Sequence, residues 1–366
     1  MDLSNIQKPF LKWAGGKTQI LDKILGYFPY KMNNYHEIFL GGGSVLLAVL
    51  SLQKQGHLQI QGNIYAYDVN PALINVYQQI QSQPHQFSKF LSEYWDTYHD
   101  CQWGTIGTYD TPLEGISHRH NGVPEVPTAP PLGAVKNCKE SYYYWVRSHF
   151  NQMDRLTPEG AAVFVFLNKT GFRGLYREGP NGYNVPYGHY KKTPVMISPS
   201  ELEHIHQLTQ GVKFVCSSFQ ESLSKVVAPT VPKVPTAGTY GTPSSRLSHT
   251  DAVSTVGSYG KEDFIYLDPP YVPENPQSFV KYTHDGFSLE THQELFQIVK
   301  QLHEKKRKLV LSNSNVPLVL DSFEEFSKEH LQVRRTINAK KPGSITTEVI
   351  IHNYSEAIPT GYPLRL

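Results

Sequence analysis

The 366-residue chain is poor in cysteine, in long apolar runs and in net charge. Its three cysteines, Cys101, Cys138 and Cys216, are scattered and form no C-x-x-C pair. That spacing indicates neither a disulfide framework nor a zinc site, and a reducing cytoplasm suits it best. No apolar run approaches the ~20 residues of a membrane span, so no membrane partner is expected. The stretch Met1 to Pro9 is polar and has no signal-peptide core. The 16 histidines are dispersed, so no metal is expected and none is given a catalytic role. A net charge of +2 by itself says nothing about nucleic acid. What is present is enough apolar residue, 39%, and enough length for one large α/β domain and a smaller module.

Strands and helices alternate along most of the chain. Apolar strands are predicted to end at Ile38 to Leu40 and to cover Ile64 to Tyr67, Phe264 to Leu267 and Leu309 to Leu311. Helices are predicted over Ser44 to Leu52, Pro71 to Gln81 and Leu289 to His303, and Ser198-Pro199-Ser200-Glu201 reads as a capping box. Val333 to Ile337 and Glu348 to His352 suit an antiparallel pair at a sheet edge. This alternation argues for a doubly wound sheet.

Two stretches, 102–136 and 228–260, break the pattern with Pro, Gly, Ser and Thr. They share words. Val123-Pro124-Glu125-Val126-Pro127-Thr128-Ala129 matches Val231-Pro232-Lys233-Val234-Pro235-Thr236-Ala237, and Gly107-Thr108-Tyr109-Asp110-Thr111-Pro112 matches Gly238-Thr239-Tyr240-Gly241-Thr242-Pro243. A repeat element inserted twice into a shorter gene explains this, and such composition is expected to form exposed, mobile loops. Functional lids or Pro-rich docking motifs are the rival explanation.

Three local patterns carry chemistry. Asp268-Pro269-Pro270-Tyr271 follows the strand Phe264 to Leu267, where doubly wound sheets hold ligands. An aromatic amino nitrogen is a poor nucleophile because its lone pair is delocalised into the ring. The Asp268 carboxylate and the Pro269 carbonyl can each accept one amino hydrogen and free that lone pair. The two prolines stiffen the backbone, and Tyr271 can stack on the base for ~1–3 kcal/mol. Alone, the motif is also readable as strand-to-turn punctuation. Phe39-Leu40-Gly41-Gly42-Gly43-Ser44 opens a helix, with Asp68 ending the next strand. The dinucleotide fingerprint fails because Leu46 stands where its third glycine should be, which leaves another adenosine cofactor or a plain turn. Pro9-Phe10-Leu11-Lys12-Trp13-Ala14-Gly15-Gly16-Lys17 lacks the first glycine of a phosphate loop. Trp13 could pack on a cofactor or in the core, and Lys17 could meet a carboxylate. Between 168 and 192, Lys169, Arg173, Arg177, Lys191 and Lys192 face only Glu178, amid aromatics and glycines. That composition suits phosphates and base edges, or a solvated loop.

Taken in order, these motifs resemble the Dam-type (D12 class, alpha group) adenine-DNA methyltransferases. The resemblance rests on Phe10 to Lys17, Phe39 to Ser44, Asp68 to Pro71, Leu167 to Arg177 with Tyr183 to Gly188, Asp268 to Tyr271, Leu311 to Ser314 and Glu348 to Tyr354. It covers roughly 8–100, 138–226 and 261–354. It implies a Rossmann-like sheet with an inserted helical and β-hairpin target-recognition domain at 81–205, between catalytic parts at 1–80 and 206–366. It implies S-adenosyl-L-methionine as donor, held by Trp13, Lys17, Phe39, Gly41, Gly42, Gly43, Asp68 and Asp268. Asp268, Pro269 and Tyr271 would grip a flipped adenine. A hairpin at 168–190 would enter the major groove of double-stranded DNA, with Lys169, Arg173, Leu175, Arg177 and Pro186 as contacts. Relatives that read GATC usually carry Asn where Arg173 stands, which leaves GATC, a related palindrome such as CATG, or another short palindrome as the target. Many relatives also carry an acidic residue near Cys216-Ser217-Ser218-Phe219, close to the donor's adenine. A monomer and direct in-line transfer complete the implied picture, in a restriction–modification role beside a cognate endonuclease or in an epigenetic role without one. The rivals are a cytosine-amino methyltransferase, a catalytically dead DNA-binding module, and an RNA or protein methyltransferase. Asp268 argues against the first, since such enzymes usually carry Ser there.

Overall fold

A computed structural model describes residues 5–100, 138–227, 263–274, 287–334 and 345–355. The two repeat-bearing stretches, and the mobility expected of them, lie outside the described residues.

Seven strands build the main sheet: β1 (Tyr35–Glu37), β2 (Ile64–Asp68), β3 (Val212–Cys216), β4 (Phe264–Leu267), β5 (Lys308–Ser314), β6 (Ser327–Arg334) and β7 (Ile345–His352). Their spatial order is β6-β7-β5-β4-β1-β2-β3. β1 through β5 are mutually parallel, and β7 runs antiparallel to both β5 and β6.

The apolar runs of the central strands are continuous because both faces are covered. Side chains alternate across the sheet. Phe264 and Tyr266 of β4 enter one core with Tyr35, Ala66, Phe214, Val310 and Ile350. Ile265 and Leu267 enter the opposite core with Leu309, Leu311, Val349 and Ile351. The first face carries helices α1 (Ser44–Lys54), α2 (Pro71–Ser82), α3 (Pro84–His99), α4 (Cys138–Phe150), α5 (Pro158–Thr170) and α6 (Pro199–Thr209). The second carries α7 (Phe219–Val227) and α8 (Leu289–Glu304). Helix α5 is apolar on all sides, Ala161 through Leu167, and is accordingly buried, packed against α2, α3 and α4.

Helix starts follow local chemistry. Asn70, Thr157 and Ser198 each accept a backbone N–H two or three residues into the helix, and each precedes a proline at the first helical position. Ser198 takes the Glu201 N–H at 3.1 Å, as the capping box requires.

Three expectations shift. The first strand of the main sheet, Tyr35–Glu37, stops just short of the Ile38 to Leu40 stretch in which it was expected to end. Those later residues run on beside the sheet, with Ile38 donating to Tyr266 O and Leu40 to Tyr67 O. The edge strand β6 begins at Ser327 rather than Val333, because its mostly polar, exposed side chains hide it from an apolar count. The hairpin expected at 168–190 is much shorter. Residues 168–170 end helix α5, and the ladder is Glu178–Gly179 against Gly182–Tyr183, with a bridge between Gly171 and Tyr187.

Candidate active site and DNA-facing segment

Strand order reverses between β1 and β4, and the C-terminal ends of strands at such a reversal are where open parallel sheets hold ligands. The glycine loop leaves β1, Asp68 ends β2, and Asp268 follows β4. Gly41 and Gly43 sit at φ +50° and +68°, a region that costs side chains energy. A Cβ on Gly41 would lie 2.8 Å from Trp13 Cδ1, and one on Gly42 would lie 2.9 Å from Trp13 Cβ. Trp13 is therefore seated on the glycine loop, in a triangle of rings with Phe164 at 6.2 Å and Tyr176 at 6.0 Å, which are themselves 5.5 Å apart. Asp68 accepts the Gly41 N–H at 2.9 Å and the Asn70 N–H at 3.0 Å. Burial pushes its carboxyl above the usual range, and these amides pull it back.

Lys17 is buried and places Nζ 2.8 Å from Asp268 Oδ1, 4.7 Å above the Tyr271 ring. Burial pushes the Asp268 carboxyl up to about 6, against the opposing pull of Lys17. Three residues from the tip of β5 steady the turn after β4. Ser312 Oγ lies 3.4 Å from Asp268 Oδ1 and 2.9 Å from the Tyr266 hydroxyl. Asn313 Oδ1 accepts the Val272 N–H at 3.1 Å, and Ser314 Oγ donates to Val272 O at 2.5 Å. From β7, Glu348 accepts the Tyr271 hydroxyl at 2.9 Å. Pro269 is buried in the same turn.

Phe39 turns toward the second core, with ring centroids 5.9 Å from Phe219 and 6.3 Å from Phe287. At the tip of β3, the Ser217 N–H bonds Asp68 O at 3.0 Å, and Ser217 Oγ donates to Glu221 Oε2 at 3.1 Å. An acidic group thus stands beside Ser217 after all, supplied from one turn into α7. Sequence reasoning singled out neither Glu221 nor Glu37. The latter is buried in β1, bonded to the Tyr35 hydroxyl at 2.7 Å, and burial pushes its carboxyl up to about 8. A carboxylate directly before the apolar run Ile38 to Leu40 was the available signal.

The DNA-facing candidates divide. Arg173, Arg177 and Pro186 are exposed. Arg173 holds φ +56° with its guanidinium 5.1 Å over the exposed Phe172 ring, and Arg177 is bonded to Asn184 Oδ1 at 2.6 Å. Lys169 and Leu175 are half-buried, Leu175 against the core. Desolvation lowers the Lys169 pKa, helped by nearby Lys12.

The D12 class N6 adenine-specific DNA methyltransferase family matches residues 13–102, 124–231 and 246–337. The chain belongs to that family. It is a DNA adenine methyltransferase of the D12 class, as its motif order implied. Type II methyltransferase M.MjaIII of Methanocaldococcus jannaschii is 30% identical over 359 residues, covering 95% of this chain and 99% of the relative. Type II methyltransferase M1.LlaDCHI of Lactococcus lactis subsp. cremoris is 28% identical over 356 residues, with 95% of each chain covered. DNA adenine methylase of Escherichia coli K12 is 26% identical over 334 residues, covering 91% and 90%. Within this D12 methyltransferase, no helix among the described residues is long and apolar enough to cross a membrane.

Proposed function

We propose that this D12 methyltransferase takes its methyl group from S-adenosylmethionine, that Asp268 activates the adenine amino nitrogen, and that the crevice between β1 and β4 is the reaction site. The observation that carries this is the placement of a carboxylate of raised pKa at a strand tip, 2.8 Å from a buried lysine and across from a glycine loop. The residues fit the donor. Gly41 and Gly42 let the loop backbone close directly on Trp13 with no side chain between, and Asp68 keeps acceptor capacity for ribose hydroxyls. Lys17 can pair with an amino-acid carboxylate, and Ser217 with Glu221 offers acceptors to an adenine amino group. When bound, the donor supplies an electrophilic sulfonium methyl.

Asp268 and the Pro269 carbonyl accept the two amino hydrogens of an adenine extruded from the duplex. The nitrogen forms a bond to the methyl carbon, the carbon–sulfur bond breaks, and one amino proton leaves toward Asp268 and water. Tyr271, its hydroxyl fixed by Glu348, stacks on the base. Alignment of nitrogen, carbon and sulfur supplies much of the acceleration.

Arg173, Arg177 and Pro186, with exposed Phe172 against Arg173, form the DNA-reading surface. The division into catalytic parts 1–80 and 206–366 around a recognition part 81–205 belongs to this reading, as do monomeric action in the cytoplasm and a short palindromic target. Relatives named as type II methyltransferases support a restriction–modification role with a cognate endonuclease. The deciding experiment is transfer of tritiated methyl from S-adenosylmethionine to unmethylated DNA, with nucleoside mass spectrometry and Asp268→Ala as control. N6-methyladenine that vanishes in the variant supports the reading. Methylcytosine, or equal incorporation by the variant, overturns it.

A further inference from the structure

Asn168 lies in the last turn of α5 and is only 4% exposed. Its carboxamide makes three hydrogen bonds to backbone far away in sequence or across a turn. Oδ1 accepts the Lys12 N–H at 2.9 Å, and Nδ2 donates to Lys12 O at 2.7 Å and to Gly174 O at 3.0 Å. The amide orientation is fixed by chemistry, since the flipped form would face two carbonyls with an oxygen. Lys12 precedes Trp13, which is seated on the glycine loop. Gly174 follows Arg173, at the exposed end of the recognition segment. Both sides are closed tightly: at φ +66°, a Cβ on Gly174 would lie 2.3 Å from Lys12 Cβ. Lys12 Nζ in turn lies 4.2 Å over the Tyr190 ring, on the returning arm of the same segment.

We infer that Asn168 is a positioning residue that couples target binding to donor binding. The inference rests on the reading of Trp13 and Arg173 given above. One buried amide holds the backbone next to a donor-side residue and the backbone next to a base-reading residue. Seating Arg173 on its site therefore restrains Lys12 and Trp13, and the reverse. Linkage makes this reciprocal: whatever factor the DNA adds to donor affinity, the donor adds to DNA affinity. A joint that served only as packing would lower stability on mutation and leave that factor alone.

The test uses the full chain, with S-adenosylhomocysteine as probe and a duplex carrying the site that the protein itself methylates. In the wild type the duplex tightens S-adenosylhomocysteine binding by about fivefold or more. Asn168→Ala and Gly174→Ala each melt in a single transition and reduce this factor below about twofold. An unchanged factor in either folded variant overturns the inference, as does a wild-type factor of one. Should both variants fail to fold, hydrogen exchange on the wild type decides. The Lys12 and Trp13 amides slow when the site duplex is added without the probe, and unchanged exchange overturns the coupling. Failure of the broader functional reading looks different: the wild type would then transfer no methyl group to any DNA.

Discussion

In the mechanism proposed above, Asp268 has to be ionised in a place that resists ionisation. Burial holds its carboxyl at about 6 against an ordinary 3.8, and Lys17 offsets part of that cost. The amino-accepting form is the carboxylate, so the turnover rate is expected to rise with pH through about 6. Folding stability moves the other way. A folded-state pKa raised above the unfolded one means the contribution is complete below the ordinary value and is lost as pH climbs through about 6. Glu37, also raised by burial, adds a second loss through about 8. Rate profiles and urea melts across this range test both signs. Asp268→Asn should remove the first loss of stability, and it should cut the rate by about 100- to 1000-fold, the scale of losing one preorganised electrostatic partner. A variant that retains wild-type turnover would remove Asp268 from the chemistry.

Arg173 combines exposure with a left-handed backbone, φ +56°. Asn tolerates that conformation better than most residues do. Arg173→Asn is therefore expected to keep the fold while removing about 1–3 kcal/mol of discrimination at one base pair. Initial methylation rates on duplexes with single base-pair changes would show the loss. Equal discrimination by both proteins would place base reading elsewhere.

At the scale of elements, the glycine loop and helix α1 are held to Trp13 by contact. Gly42→Ala would force a Cβ to 2.9 Å from Trp13 Cβ, with a destabilisation of about 1–3 kcal/mol for overpacking. Its kinetic effect should fall on KM for S-adenosylmethionine, with little change in kcat. The segments that were legible in the sequence are those whose chemistry is local. The apolar run of β4, the caps at Asn70 and Ser198, and the turns at Gly41 and Asp268 each show within a few residues. Long-range partners were not legible. Glu348 is 77 positions from the hydroxyl it holds, and Asn168 is 156 from Lys12. No periodicity reports such a pair. The recognition hairpin was overdrawn for a related reason: the apolar run Ala161 to Leu167 carries α5 on to Thr170, and packing on three helices outweighs the turn signal of the glycines that follow.

For the whole molecule, the positions where the two repeat-bearing stretches join the sheet and helices predict what they do. The stretch 228–260 leads into Asp263 and Phe264, at the N-terminal end of β4. The proposed site lies at the C-terminal ends of the same parallel strands, so this insertion is attached to the opposite edge of the sheet. Its removal, with a short Gly-Ser link, should leave donor KM, kcat and site preference within about twofold of the parent. The stretch 102–136 joins α3 to α4, and this region touches the recognition segment: the Tyr98 hydroxyl lies 2.7 Å from that of Tyr187, and Tyr143 bonds Val185 O at 2.8 Å. If either insertion has acquired a role, it is this one, and the role concerns DNA. Deleting 102–136 is expected to preserve donor affinity and turnover on the preferred site. A drop in DNA affinity with a shallower dependence on salt concentration would show that the stretch contributes to DNA binding. Loss of donor binding in the 228–260 deletion would contradict the topology, because no strand tip of the crevice lies at that end of β4.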